Sequence, residues 1–210
     1  MKKFLNAILA ICLALFVIGS SVIITMNIKS IYYNDIDKLN IESMSNLSKE
    51  DIIENYDYLI DYNLSWKADE FELPSLPSSH NGKIHFQEVR DIFQNVKITG
   101  IISIIGGIIQ IRKKEFKFLR NSSILIIVMP VLLAIPIVIK FNACFIMFHK
   151  IMFSNDYWIF NPEIDPVINM LPETFFMHMG VAILAIMLIC SIVLQLIYRK
   201  LKTINYDNLK

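Results

Sequence analysis

The chain has 210 residues, is 55% hydrophobic, and has a formal net charge of +1 from 20 basic and 19 acidic side chains. This balance gives no reason to expect a nucleic acid partner. The apolar residues occur in long blocks rather than the short periodic groups of a soluble domain. We therefore predict an all-α integral membrane protein.

Four apolar blocks approach the roughly 20 residues that a helix needs to cross the hydrocarbon core of a bilayer. They predict spans at about 4–26, 94–111, 124–144 and 177–198. The first block begins with basic residues, as a signal peptide does. Its apolar stretch is longer than that of a signal peptide, so we interpret it as a retained helix.

The distribution of charge predicts the orientation of the spans. The segment between the second and third spans is basic, and so is the C-terminal tail, whereas residues 27–95 carry 13 acidic and six basic side chains. Basic loops of membrane proteins are found mostly in the cytoplasm. We therefore expect one multi-pass membrane domain over 1–210 with both termini in the cytoplasm. Segments of about 27–93 and 149–176 would then form a small, mostly helical extracellular cap.

The first outer segment contains signals for helix boundaries. Ser48 is followed three residues later by Asp51, which is the spacing of a capping box. The apolar residues after it recur at helical spacing and predict a short amphipathic helix. Two prolines and an Asn-Gly pair predict a loop over 73–82. A new helix is expected to begin around 83–85 and to run into the second span.

The third span and its flanking residues predict the depth of two histidines. Asn121–Ser123 are good N-cap residues, and prolines at 130 and 136 predict bends. A straight helix from Ser123 would carry His149 about 39 Å, beyond a hydrocarbon thickness of about 30 Å. His85 is expected about ten residues before the second span, roughly 15 Å along the helix. We therefore expect both histidines at the outer face.

Histidine suits proton transfer because its unperturbed pKa, about 6.5, is close to neutrality. The alternative is that both histidines are interfacial side chains with amphipathic tips. That interpretation suits His178 better, and we expect His80 to be simply exposed. His85 and Glu88 have a spacing that could share a metal ion, but no third ligand is evident, so we predict no metal site.

The surroundings of the two histidines resemble one known family. The matching parts of the sequence are His85–Phe93, Phe148–Phe153, Trp158, Asn161, Pro162, Asp165 and Leu171–Glu173. These segments are similar to those of the bacterial lipoprotein intramolecular transacylase family, Lit. The layout of four spans, a long first outer segment and a short second one is also similar across the chain.

The resemblance implies an acyltransferase of the bacterial cell membrane, with its active site at the outer face. It would move the sn-2 acyl chain of a diacylglyceryl lipoprotein to the N-terminal cysteine amine, giving a lyso-form N-acyl lipoprotein. The resemblance implies that His149 and His85 are catalytic. We assign His149 as the base and His85 as the oxyanion donor or acid. No cofactor or metal is implied, and the partners would be the lipoprotein substrate and membrane lipids.

Aromatic residues near the histidines are candidates for substrate binding, because they could wall the site and exclude water. The candidates are Phe86, Phe148, Tyr157, Trp158 and Phe160. Ordinary anchoring at the membrane interface is the competing interpretation for each. Two other functions stay open: a non-catalytic membrane accessory or lipid-sensing protein, and a related acyltransferase with a different acceptor amine.

Overall fold

The computed structural model describes residues 2–67 and 69–207, with the side chains of all of these except Lys2 and 133–139. Within these ranges the regular structure is entirely helical, without strands. The α-helices are α1 (Lys2–Asn27), α2 (Ser30–Lys38), α3 (Ile41–Ser45), α4 (Lys49–Leu64), α5 (His80–Arg112), α6 (Lys117–Ile139), α7 (Phe141–Met152) and α8 (Glu173–Asp207). A 3-10 helix, Pro166–Met170, precedes α8.

Three helices in the described part of the chain are long and apolar enough to cross a membrane: α1, α5 and α8. They contain the predicted first, second and fourth spans. The chain is therefore an all-helical protein with at least three candidate membrane spans.

The predicted third span, 124–144, is not one continuous helix. It is divided between α6 and α7 by Lys140, whose φ of −148° and ψ of 74° are not helical. The expected length of about 39 Å from Ser123 to His149, which assumed one straight helix, is therefore wrong. Pro136, which has no N–H to donate, lies four residues before the break, and Lys140 places a charge in the apolar run.

The expected N-cap at Asn121–Ser123 is also wrong, because α6 already begins at Lys117. Both serines lie inside the helix. Ser122 donates a hydrogen bond to the carbonyl of Phe118, and Ser123 donates one to the carbonyl of Arg120. Such bonds to the preceding turn satisfy a serine hydroxyl within a helix.

The described chain divides into two compact units, each with its own core. The first is formed within Met1–Val22, Asn95–Ile135 and Ala182–Lys210. Small residues allow close helix contacts in this unit. A Cβ atom on Gly100 would collide with the ring of Phe16, so α1 and α5 approach closely there. The buried core residues of this unit include Leu9, Ala10, Ala14, Phe118, Leu119, Ile126 and Met187.

The second unit is formed within Ile23–Gln94 and Pro136–Val181. Its main core contains the stacked rings of Tyr32 and Tyr56, whose centroids are 3.7 Å apart. The Tyr32 hydroxyl donates to the carbonyl of Met170 at 2.9 Å, so this buried polar atom is satisfied.

The predicted helix start at Ser48 is confirmed, because Ser48 is the N-cap residue of α4. The Ser48 side chain accepts a hydrogen bond from the Asp51 N–H at 3.1 Å. The apolar face of α4 is buried in the second unit, where Ile52 and Tyr56 are at most 1% exposed. This face therefore packs against protein.

Candidate active site

His85 lies in the first turns of α5, which begins at His80 rather than at 83–85. The Ser79 hydroxyl accepts from the Gly82 N–H at 3.0 Å and caps this end of the helix. The buried Asp165 carboxylate accepts from the Ser79 N–H at 2.7 Å, which fixes the helix start against the loop after α7. A Cβ atom at residue 82 would collide with Asp165, so glycine is required there.

His149 lies in α7, and one ring nitrogen is already paired. Its Nδ1 is 2.7 Å from the carbonyl oxygen of Phe145. A carbonyl oxygen only accepts, so Nδ1 must carry the proton. The neutral ring therefore has its lone pair on Nε2.

The two histidine rings come together in the second unit, with centroids 6.0 Å apart. Both are buried, with 5% of His85 and 9% of His149 exposed. Phe153 contacts both, at 4.8 Å from the His85 ring and 5.7 Å from the His149 ring. The structure thus brings the two predicted catalytic residues into one aromatic environment.

Three of the five candidate substrate-binding residues have rings beside the histidines and are at least partly buried. Phe160 and Phe86 are 5.5 Å and 5.6 Å from the His85 ring. The Trp158 ring is 4.8 Å from that of His149. Phe86 also stacks on Phe71 and Phe160, so it contacts His85 and also packs against the neighbouring aromatic rings.

The other two candidates differ from this pattern. Phe148 touches His149 edge-on at 5.3 Å but is 54% exposed. Tyr157 is half-buried, and its ring is not among the aromatic neighbours of either histidine in the described part of the chain. Its backbone N–H donates to Asn155. Whether either residue binds substrate stays a prediction.

Sequence reasoning missed Phe145, whose ring is 4.0 Å from that of His149. The spacing from His149 was the available signal, since residues four apart lie on one helical face. It also missed Asn155, which donates from Nδ2 to Glu88 Oε1 at 2.7 Å. The Asn155 carbonyl accepts from Trp158 Nε1 at 3.0 Å. Asn155 therefore joins α5 to the loop that places Trp158 against His149.

The remaining two histidines lie outside this environment. His178 Nδ1 is 2.8 Å from a carboxylate oxygen of Asp35, a buried residue with 3% exposure. His178 is therefore part of an ion pair or hydrogen bond rather than a free interfacial side chain. His80 is exposed, as expected. Within 2–67 and 69–207, no three histidine, cysteine, aspartate or glutamate side chains group as a metal site.

Burial lowers the pKa of both catalytic candidates. His85 precedes the predicted second span and His149 follows the predicted third span, so both lie outside the segments predicted to cross the membrane. The His85 pKa falls to about 4, because burial disfavours the charged ring and a charge on nearby His149 would repel it. Burial also lowers the His149 pKa, and the hydrogen bond to the Phe145 carbonyl partly opposes this. Both rings are therefore neutral at pH 7.

The lowered His85 pKa predicts that acid destabilises the folded protein. Below about pH 6.5 the unfolded chain gains a proton at this ring, but the folded protein does so only near pH 4. The free energy of unfolding should therefore fall as pH drops from 6.5 to 4, by about 3 kcal/mol from this group. Thermal unfolding of purified protein in detergent at pH 7 and pH 4.5 measures the loss.

His85→Gln provides the comparison, because it removes the titrating ring while other acid-sensitive groups stay the same. The variant should lose less stability than the wild type over the same pH interval. Equal losses in the two proteins would show that the pKa of His85 is not lowered in the folded state.

Residues 7–176 match a family model described as lipoprotein intramolecular transacylase Lit. The fold is similar to the structure of the membrane integral lipoprotein intramolecular transacylase Lit from Bacillus cereus. That match has 39% sequence identity and a TM-score of 0.85 over 100% of this chain and 99% of that chain.

Structures of two variants of the Bacillus cereus protein are also similar. The H85R variant has 39% identity and a TM-score of 0.81 over 99% of this chain and 95% of that chain. The H85A variant has 38% identity and the same TM-score over 100% of this chain and 96% of that chain. A search of curated protein sequences found no match.

Proposed function

This chain belongs to the lipoprotein intramolecular transacylase family, Lit, and we propose that His149 and His85 carry out its reaction. The chain is an acyltransferase. Its substrate is a diacylglyceryl lipoprotein, and it moves the sn-2 acyl chain to the amine of the N-terminal cysteine. The product is a lyso-form N-acyl lipoprotein.

His149 is the base in this proposal. The single observation that carries the assignment is the hydrogen bond from Nδ1 to the Phe145 carbonyl, which leaves the Nε2 lone pair free. An α-amino group has a pKa near 7.7–8.0, so most of the substrate amine is protonated at neutral pH. His149 Nε2 takes the proton that the amine must lose in order to attack the ester carbonyl.

His85 is the hydrogen-bond donor to the oxygen atoms of the reaction. Its Nδ1 is buried without a partner among the described residues. A buried N–H without an acceptor is rarer and more costly than an unused lone pair. The neutral ring therefore carries its proton on Nε2, from which it stabilises the negative charge on the carbonyl oxygen.

The reaction balances within one substrate. The new bond joins the cysteine nitrogen to the acyl carbon, and the broken bond joins that carbon to the sn-2 oxygen. The protonated amine loses one proton through His149 to solvent before it attacks. The nitrogen loses a second proton on becoming an amide, and the departing sn-2 oxygen takes up one proton, so the overall reaction releases a single proton. An ester becomes a more stable amide, so the chemistry requires neither an energy source nor a redox cofactor.

The aromatic residues support this reaction by shaping its surroundings. The substrate must close into a ring to bring its amine to its own ester, and correct positioning can supply several kcal/mol of such a barrier. Phe153, Trp158 and Phe160 surround the two histidines with apolar rings. A wall of this kind keeps water from hydrolysing the ester instead.

We further propose that α6 is a fourth crossing, with both termini in the cytoplasm and the histidines at the outer face. The basic loop between α5 and α6 and the basic tail support this orientation. At 23 residues, α6 is roughly 35 Å long, which exceeds the hydrocarbon thickness. A single membrane domain with a small extracellular cap follows from this arrangement.

The proposed orientation predicts which side of the membrane two exposed positions face. Ser154→Cys and Lys114→Cys are made separately, and a membrane-impermeant thiol reagent is applied to intact cells. Ser154→Cys should react, and Lys114→Cys should react only after the cells are opened. The reverse pattern would overturn the orientation, and reaction at both positions would overturn the number of crossings between them.

The function is tested by fragmentation mass spectrometry of a reporter lipoprotein's N-terminal lipopeptide. The bacterial host lacks N-acylation and is compared with and without this chain. Intact mass cannot report the reaction, because internal transfer leaves it unchanged. Fragments with an acyl group on the cysteine nitrogen should appear only when the chain is present. A free nitrogen beside correctly inserted protein would favour a non-catalytic lipid-sensing protein or a different acceptor amine.

A further inference from the structure

A cleft of about 570 Å³ lies between α6 and α8 in the first unit, whereas the two histidines belong to the second unit. One part of its wall is aliphatic, formed by Ile124, Ile127, Val128, Ile192 and Leu196. The other part is polar and includes two arginines, Arg120 and Arg199. The proposed reaction has no use for this cleft.

The two helices are joined by polar contacts in the middle of the cleft. The Ser123 hydroxyl is 3.1 Å from Gln195 Oε1, and the Ser191 hydroxyl donates to the Ser123 carbonyl at 2.7 Å. These contacts fix the spacing of α6 and α8. The cleft is therefore a built feature of the first unit.

The arginines lie at the same end of the cleft because α6 and α8 run antiparallel. Phe118, at the start of α6, packs with Tyr198 near the end of α8, and Ile126 packs with Met187. Arg120 is three residues before Ser123, and Arg199 is four residues after Gln195. Each guanidinium is thus about one helical turn beyond the Ser123–Gln195 contact, in the same direction.

No carboxylate lines the cleft, and neither arginine has an ion-pair partner among the described residues. Lys117 and Lys202 are each one turn further from the Ser123–Gln195 contact and add positive charge at the same end. One end of the cleft therefore favours an anion, and the rest favours hydrocarbon.

We propose that this cleft binds an anionic phospholipid, with its phosphate between Arg120 and Arg199 and an acyl chain along the aliphatic wall. Guanidinium groups pair with phosphate oxygens in a bidentate geometry. Basic pockets between membrane helices select anionic headgroups from the leaflet that they face. A zwitterionic lipid carries its own positive charge and is attracted less strongly.

Native mass spectrometry of the full-length protein tests the preference. The protein is released from detergent with equimolar phosphatidylglycerol and phosphatidylcholine that have the same acyl chains. Phosphatidylglycerol adducts should exceed phosphatidylcholine adducts by about fivefold or more, which corresponds to roughly 1 kcal/mol. Equal adducts would overturn the proposal.

Variants locate the binding. Arg120→Gln with Arg199→Gln should abolish the preference. Lys113→Gln with Lys114→Gln removes the same charge outside the cleft and should keep it. If both pairs reduce the preference equally, a diffuse positive surface attracts the lipid and the cleft does not bind it.

Two further measurements separate a lipid from a free phosphate and a lost site from a misfolded protein. Ile127→Trp fills the aliphatic part without changing charge and should reduce the adducts while thermal unfolding is unchanged. Glycerol phosphate, which lacks acyl chains, should not displace the lipid at millimolar concentration. Full displacement, or normal binding in Ile127→Trp, would overturn the assignment of a phospholipid.

Discussion

His149→Ala should reduce transfer of the acyl chain to the cysteine amine by at least about 10³-fold, because the variant lacks the base for the protonated amine. His149→Gln should be equally inactive. Its amide can hydrogen-bond but cannot take up a proton near neutral pH. Nitrogen acylation of the reporter lipoprotein, followed by fragmentation mass spectrometry over time, measures the rate.

The control is His80→Ala, since His80 is another histidine of the chain but is exposed and has no place in the aromatic environment. It should keep full activity. Membrane abundance and thermal unfolding in detergent should be similar in all three variants and the wild type. An active, well-inserted His149→Ala protein would remove His149 from the reaction.

His85→Ala should also be nearly inactive, with an expected loss of about 10²–10³-fold, as is typical when one donor to an oxyanion is removed. The position of the proton on the ring predicts a difference between two milder variants. The side-chain amide of glutamine reaches the place of Nε2, whereas that of asparagine reaches the place of Nδ1. Because the proposed donor is Nε2, His85→Gln should keep more activity than His85→Asn.

Comparing the rates of the three His85 variants in the same assay decides the assignment. Greater activity in His85→Asn would move the donor to Nδ1. Full activity in His85→Ala, with normal insertion, would exclude any role of His85 as acid or donor. In that case, the 6.0 Å approach of the two rings would be a packing contact.

The proposed roles of the two histidines and the proposed lipid-binding cleft can be tested independently. The histidine variants act in the second unit, and the arginine variants act in the first. Arg120→Gln with Arg199→Gln should therefore remove the lipid preference without removing either histidine from its aromatic surroundings. Failure of the lipid proposal would leave the transacylase assignment intact, and failure of the histidine roles would leave the cleft intact.

Local features of the sequence were sufficient to predict much of the fold. Three apolar blocks correspond to helices able to cross a membrane, because a bilayer requires long, uninterrupted apolar runs. The N-cap of α4 was also readable, since Ser48 and Asp51 are only three residues apart. The two candidate catalytic histidines could be selected from sequence by their resemblance to a known family.

Contacts between distant residues account for what the sequence did not reveal. The start of α5 at His80 depends on Asp165, which is 86 residues away from Ser79. The pairing of His178 with Asp35 spans 143 residues. No periodicity or spacing within a segment reports such contacts, because helical patterns describe only which face of one element is apolar.

The sequence by itself determined that this is an apolar helical protein and that the segments around two of its histidines resemble those of one known family. Only the tertiary structure decided that their rings meet around Phe153 and that Asn155 ties Glu88 to the loop holding Trp158. The physical reason is that composition sets where each helix is stable. The protonation and the partners of a buried ring depend instead on the atoms that other parts of the chain bring against it.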